Sequence, residues 1–234
     1  VIFESLYDYK IKDFCFIVGR TKRAVEDHFT PNFDLLDLLK KERKKELHFE
    51  LNDFYKKLVK SNIMFVTQAK PVGFGDAIEY GKRFVTNDYF LLHAGDDIVI
   101  SNENSHLSRL ESCFKKYKAD IACLIEKVEN PSQYGVVSGE LLEDGIIDIK
   151  KIEEKPKKPK SKNAVIAIYI FKPKIFNYLS QVKKKSSAQN QLSDAFDMAL
   201  KKGDRMIGVI LNKNEKRIDI GTPETYSKLL VSLK

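Results

Sequence analysis

The chain has 234 residues, enough for one large domain or at most two and for a sizeable buried core. It carries 41 Lys+Arg against 33 Asp+Glu, a net charge of +8 that favours anionic partners, yet it shows no zinc-finger spacing, RNP-type aromatic run or Gly-x-x-Gly clamp of a nucleic-acid module. No apolar run approaches a membrane span, no signal peptide is visible, and Cys15, Cys113 and Cys123 read as reduced core thiols, so the expectation is a cytoplasmic protein with neither membrane nor nucleic acid as partner.

Apolar residues at helical spacing over 2–9 predict a first helix, and FCFIV at 14–18 is the first clear strand, closed by Gly19. A second helix ends near Phe29. From 33 to 60 the pattern is helical and heavily charged, with Leu35, Leu36, Leu38 and Leu39 on one side and the run KKERKK from Lys40 on the other. Such a run is a solvated face, or else 30–60 is a helical insertion that contacts another subunit. IMFVT at 63–67 is a second strand, a loop runs from Gln68 to Gly75, and a helix follows from Asp76. In the stretch 89–100, YFLLHAGDDIVI, the apolar run from Tyr89 reads as the central buried strand of an open sheet, ending in the turn Gly95-Asp96-Asp97 before apolar residues resume. Leu107, Leu110, Phe114 and Tyr117 repeat at helical spacing, and 121–125 is a further strand. Strands alternating with helices argue for a mostly parallel sheet covered on both faces.

After Glu129 the texture changes. Short strands are expected at 134–137 and 146–149, then a basic stretch from Lys150 to Lys162, then the β-rich segment AVIAIYIF at 164–171. This resembles an antiparallel addition carrying a second half of a site. Helices are expected at 173–179 and 191–201, and a strand at 206–211 leads to Arg217-Ile218-Asp219-Ile220-Gly221. Thr222 as N-cap and Pro223 at the first helical position open a C-terminal helix.

Buried parallel strands present ligands at their carboxyl ends, where doubly wound sheets bind small molecules. A carboxylate there costs little when a cation and phosphate oxygens are its partners. Asp96 is therefore a candidate metal ligand. The plainer reading is that Asp96 and Asp97 cap a turn, as Asp and Gly after a strand often do.

Six pieces become informative together: QAKPVGFGDA from Gln68, the Gly95-Asp96-Asp97 turn, Tyr134-Gly135-Val136-Val137, Glu153-Glu154-Lys155-Pro156, Gln191-Leu192-Ser193-Asp194-Ala195, and Asp219-Ile220-Gly221-Thr222. In this order and spacing they resemble the sugar-1-phosphate nucleotidyltransferases, and among those the UTP–glucose-1-phosphate uridylyltransferases of bacteria and archaea. The resemblance covers nearly the whole chain. It implies one nucleotidyltransferase domain over 1–234 with the nucleotide-diphospho-sugar transferase fold: a Rossmann-like, mixed, mostly parallel sheet flanked by helices, with a small antiparallel β addition at 130–171 that binds the sugar. It also implies Mg2+ as cofactor, UTP and glucose 1-phosphate as substrates, UDP-glucose and pyrophosphate as products, and a homo-oligomer of two or four copies.

By the same resemblance, Asp96 is the first metal carboxylate and Asp219 the second, though Asp219 alone would pass for a turn residue before Gly221. Lys155 holds the sugar phosphate, a task that suits a compact point charge, and Glu154 accepts hydrogen bonds from sugar hydroxyls. Without the family both would be one more pair in a charged run, as Lys157, Lys158 and Lys160 are. Gly135 lets the hexose approach the backbone, or is an ordinary turn. On the nucleotide side Gln68 can pair with the edge of uracil, and Gly73 and Gly75 let the backbone lie against the base. Departures are Asp76 where many relatives carry histidine, Ala167 where they carry glycine, and Gln189 where they carry glutamate.

The family also opens with a strand, a glycine-rich G-x-G-T-R loop and a lysine-bearing stretch that cradle the triphosphate. The 234 residues start at Val1 within the first helix, so on their own they are expected to make a feeble enzyme whose sheet lacks a central strand. A mass near 26.9 kDa for purified material would exclude a segment missing only from this stretch. Alternatives that stay open are a non-catalytic sugar-nucleotide-binding or regulatory relative, and thymidylyl or guanylyl transfer within the same family.

Overall fold

A computed structural model describes residues 1–182 and 191–232, in two compact units, Val1–Val72 and Gly73–Lys234. Gln189 lies outside the described residues.

The first unit holds α1 (Ile2–Asp8), β1 (Asp13–Gly19), α2 (Arg23–His28), α3 (Phe33–Lys41), α4 (Lys45–Val59) and β2 (Asn62–Gln68). β1 and β2 pair in parallel, from Asp13 opposite Asn62 to Gly19 opposite Gln68. A parallel pair needs a long crossover, and α2 to α4 supply it. Alternate residues of β1, Phe14 and Phe16, share one face and meet an aromatic cluster: ring centroids lie 4.9 Å apart for Phe3 and Phe14 and 4.6 Å for Phe16 and Phe29. The helical span 33–60 is two helices rather than one, because Arg43 takes a positive φ of 57° within the basic run and turns the chain. Asn32 caps α3 by accepting the Leu35 N–H at 3.0 Å.

The second unit begins with α5 (Phe74–Tyr80), β3 (Phe90–His93), β4 (Asp97–Ile100), α6 (Ser105–Lys116) and β5 (Ile121–Lys127). A hairpin of β6 (Gly135–Glu143) and β7 (Ile146–Glu154) precedes β8 (Asn163–Phe171), α7 (Ile175–Val182) and α8 (Gln191–Lys201). β9 (Met206–Ile210), β10 (Lys216–Asp219) and α9 (Pro223–Ser232) complete it. Six strands form one sheet in the order β3-β8-β5-β9-β7-β6, and β4 pairs separately with β10. Every residue of 121–125 in β5 is buried. Ile121, Cys123 and Ile125 join Ile175, Leu179 and Phe196 of α7 and α8 in one cluster, while α6 also packs on β5. No described helix is long and apolar enough to cross a membrane.

The mixed sheet with flanking helices is as expected, but its neighbours are mostly antiparallel. β3, β5 and β9 do point the same way; β8, however, returns between β3 and β5, and β7 lies reversed beside β9. Only β1–β2 and β5–β9 pair in parallel among the described ladders. The strand expected from Tyr89 to the Gly95-Asp96-Asp97 turn is β3, which pairs with β8, and the apolar residues that resume after the turn form β4, which pairs with β10 in a different sheet. The short strands expected at 134–137 and 146–149 extend into the β6–β7 hairpin, closed by Asp144 and Gly145, whose φ is +74°. Asp-Gly between two strand segments is a hairpin signal that carries this register.

Candidate active site

Asp96 stands in the tight connection from β3 to β4, exposed, with its carbonyl accepting the Ile220 N–H at 2.9 Å. That bond continues the antiparallel pairing in which Asp219 lies opposite Asp97. The two candidate metal carboxylates are therefore brought together by the short β4–β10 ladder, not by the shared rim of parallel strands that the sequence suggests. Their meeting point is Gly221. A methyl placed on its α-carbon would lie 2.9 Å from Asp96 Oδ2 and 3.2 Å from Asp219 Oδ1, so both side chains lean over the same bare backbone. The Gly221 N–H donates to Asp219 Oδ1 at 2.9 Å.

Asp97 is used differently. Its Oδ2 accepts the Ala167 N–H at 2.9 Å and its Oδ1 accepts Arg217 Nε–H at 2.6 Å. Arg217 is 6% exposed and fans out to two more carboxylates, Asp219 Oδ2 from Nη2 at 3.1 Å and Glu126 Oε2 from Nη1 at 3.4 Å. Burial works against its charge, but Asp97, Asp219 and Glu126 outweigh that and raise its pKa. Neither Arg217 nor Glu126 was marked by sequence reasoning, since a lone Arg in a four-residue strand carries no periodic signal.

The guanidinium also lies 5.2 Å from the centre of the Tyr134 ring. Through Tyr134 it reaches the residues expected on the sugar side. The Tyr134 carbonyl accepts the Lys155 N–H at 3.0 Å, Gly135 pairs with Glu154 across β6 and β7, and Glu154 Oε2 accepts the Ser193 hydroxyl at 3.0 Å. A β-carbon at Gly135 would sit 3.2 Å from Glu154 Oε2, so the bare backbone there makes room for this carboxylate. Lys155 is exposed and holds a φ of +42°, a left-handed conformation that costs a side-chain-bearing residue about 1 kcal/mol or more. Asp219, Gly135, Glu154 and Lys155 are thus connected through Arg217 and Tyr134, and Asp96 meets Asp219 over Gly221.

The nucleotide-side residues are placed as follows. Gln68 ends β2 in the first unit, opposite Gly19 at the carboxyl end of the parallel pair. Gly73, with φ +128°, is the N-cap of α5, and Gly75 is buried in its first turn. The backbone at Gly73 demands glycine on its own account, which accounts for half of the Gly-x-Gly pattern. Asp76 is buried in the same turn. Ala167, on β8, has its amide held by Asp97 and its carbonyl accepting the Ala94 N–H at 2.9 Å, so its backbone is clamped from both sides.

A divalent cation fits Asp96 and Asp219. The Asp96 carboxylate makes no hydrogen bond to another described residue, and each Asp219 oxygen accepts one, leaving lone pairs on both. No group of three or more His, Cys, Asp or Glu side chains suited to a metal exists among the described residues. Two carboxylates completed by water and phosphate oxygens are the arrangement Mg2+ takes in phosphoryl-transfer sites, whereas Ca2+ or structural zinc would need more protein ligands.

Residues 31–233 match the nucleotidyl transferase family. A protein of Methanocaldococcus jannaschii, provisionally named a UTP–glucose-1-phosphate uridylyltransferase, is 35% identical over 99% of this chain and 80% of its own length. The crystal structure of an apo UDP-glucose pyrophosphorylase superposes with a TM-score of 0.87 at 30% identity, covering 99% of this chain and 84% of that one. A UDP-glucose pyrophosphorylase complexed with UDP-glucose superposes at 0.81 with 30% identity, over 100% of this chain and 86% of the other.

Proposed function

Because the chain belongs to the nucleotidyl transferase family, we propose that it transfers a uridylyl group from UTP to glucose 1-phosphate, giving UDP-glucose and pyrophosphate. A phosphate oxygen of glucose 1-phosphate attacks the α-phosphorus of UTP. The bond from that phosphorus to the oxygen bridging to the β-phosphate breaks in line, and pyrophosphate leaves with the electron pair. Such a reaction needs positioning and charge neutralisation far more than proton transfer. The observation that carries the reading is the meeting of the Asp96 and Asp219 side chains over Gly221.

In this reading Asp96 and Asp219 hold Mg2+, which when bound neutralises charge on the phosphates. Lys155 fixes the sugar phosphate as a point charge, and Glu154, braced by Ser193, accepts from sugar hydroxyls. Gly135 keeps the backbone bare beside Glu154. A cytoplasmic setting agrees with three free thiols, Cys113 and Cys123 buried and Cys15 half-buried.

Exchange of labelled pyrophosphate into UTP, with the natural full-length protein, Mg2+ and UDP-glucose, tests the reaction. Exchange that requires UDP-glucose and fails with thymidine and guanosine diphospho-sugars is the expected result. No exchange with any nucleotide sugar would end the proposal.

A further inference from the structure

Arg217 is the least ordinary group near these carboxylates: a nearly buried guanidinium serving three of them from one strand. Nε and Nη2 both approach Asp97 Oδ1, Nη2 also donates to Asp219 Oδ2, and Nη1 reaches Glu126 Oε2. Asp97 is anchored in turn by the Ala167 amide, so the guanidinium plane is set by β8 and passed on to β10. A planar fork can hold diverging acceptors at once, which a lysine amine cannot.

We infer that Arg217 is a positioning residue for the cation site: by binding Asp219 Oδ2 it aims the remaining lone pairs of that carboxylate towards Asp96, and by stacking on Tyr134 it keeps the Lys155 segment in register with them. The inference rests on the metal roles proposed for Asp96 and Asp219. Outer partners of metal ligands typically set ten- to hundredfold of affinity.

Titration of Mn2+ into the full-length protein, followed by electron paramagnetic resonance, reads the site without turnover. Arg217→Lys should bind Mn2+ about tenfold more weakly than the wild type. In an Asp219→Asn background the same change should add no further loss, since the effect is routed through Asp219. Equal affinity of wild type and Arg217→Lys overturns the inference, and so does an equal loss in both backgrounds. If Arg217→Lys fails to fold, Asp97→Asn replaces it: loosening the anchor of the guanidinium should also weaken Mn2+, and unchanged affinity overturns the assignment. A wild type that binds Mn2+ yet exchanges no pyrophosphate ends the proposed reaction and leaves Arg217 in its role. A wild type with no Mn2+ site removes both.

Discussion

Asp96 and Asp97 are neighbours in the chain with opposite uses: Asp97 is locked inside by Arg217 and the Ala167 amide, while the Asp96 carboxylate stands exposed over Gly221. The same chemical change at the two positions should therefore separate function from stability.

Asp96→Asn is expected to lose most activity and to melt within a degree or two of the wild type, as surface changes usually do. Asp97→Asn halves a buried ion pair and should cost about 3 kcal/mol of stability. Thermal melts and initial rates on both variants check this. A strongly destabilised Asp96→Asn, or an Asp97→Asn as stable as the wild type, would reverse the assignment.

Gly221→Ala tests the meeting point itself. The added methyl collides with the ends of two side chains, which can swing away, so stability should move by about 0.5 kcal/mol or less. The metal concentration needed for half-maximal rate should rise about tenfold, because the displaced atoms are the carboxylate oxygens. A normal metal requirement would show that the two oxygens do not share a cation.

At Lys155 the backbone and the amine can be separated. Lys155→Ala should raise the KM for glucose 1-phosphate much more than that for UTP. Lys155→Gly should lose the same function and yet be more stable than the alanine variant by about 1 kcal/mol, since glycine accepts a φ of +42° without strain. Equal stability of the two variants, measured by urea unfolding, would contradict the strain argument.

His106 supplies the pH dependence. It is 1% exposed on α6, with Nδ1 at 2.6 Å from the Ser101 hydroxyl. Burial pushes its pKa down from 6.5 to about 4; Glu215 opposes the fall, while His93 and Arg109 add to it. Between those two values the unfolded chain takes up a proton that the folded protein refuses. Stability is thus full above pH 6.5 and falls as the pH drops towards 4. Between pH 7.5 and 4.5 this residue should account for about 2 kcal/mol, absent in His106→Gln. Urea unfolding at both pH values decides, and parallel losses in the two proteins would exclude His106 as the cause.

Local chemistry was legible in the sequence wherever a turn or an apolar run carried it: the Gly95-Asp96-Asp97 turn, the buried run 121–125 of β5 and the Thr222 cap, whose hydroxyl accepts the Thr225 N–H at 3.1 Å. Pairing across long separations was not. Nothing in 89–100 says that its first half will lie against Phe171 and its second against Lys216, because both partners come much later and alternation is alike in either sheet. For the same reason Asp97 could not be told from Asp96, since the difference between them is made by Arg217.

The placement of β8 has a consequence for synthesis. β3 pairs only with β8 among the described strands, and β5 lies between β8 and β9. At about 5–20 residues per second, a ribosome makes β3 and β5 seconds before either partner exists. Newborn chains therefore carry two unpaired strands, one of them holding the buried run 121–125, and their yield will depend on temperature and chaperone supply more than the finished protein's stability suggests.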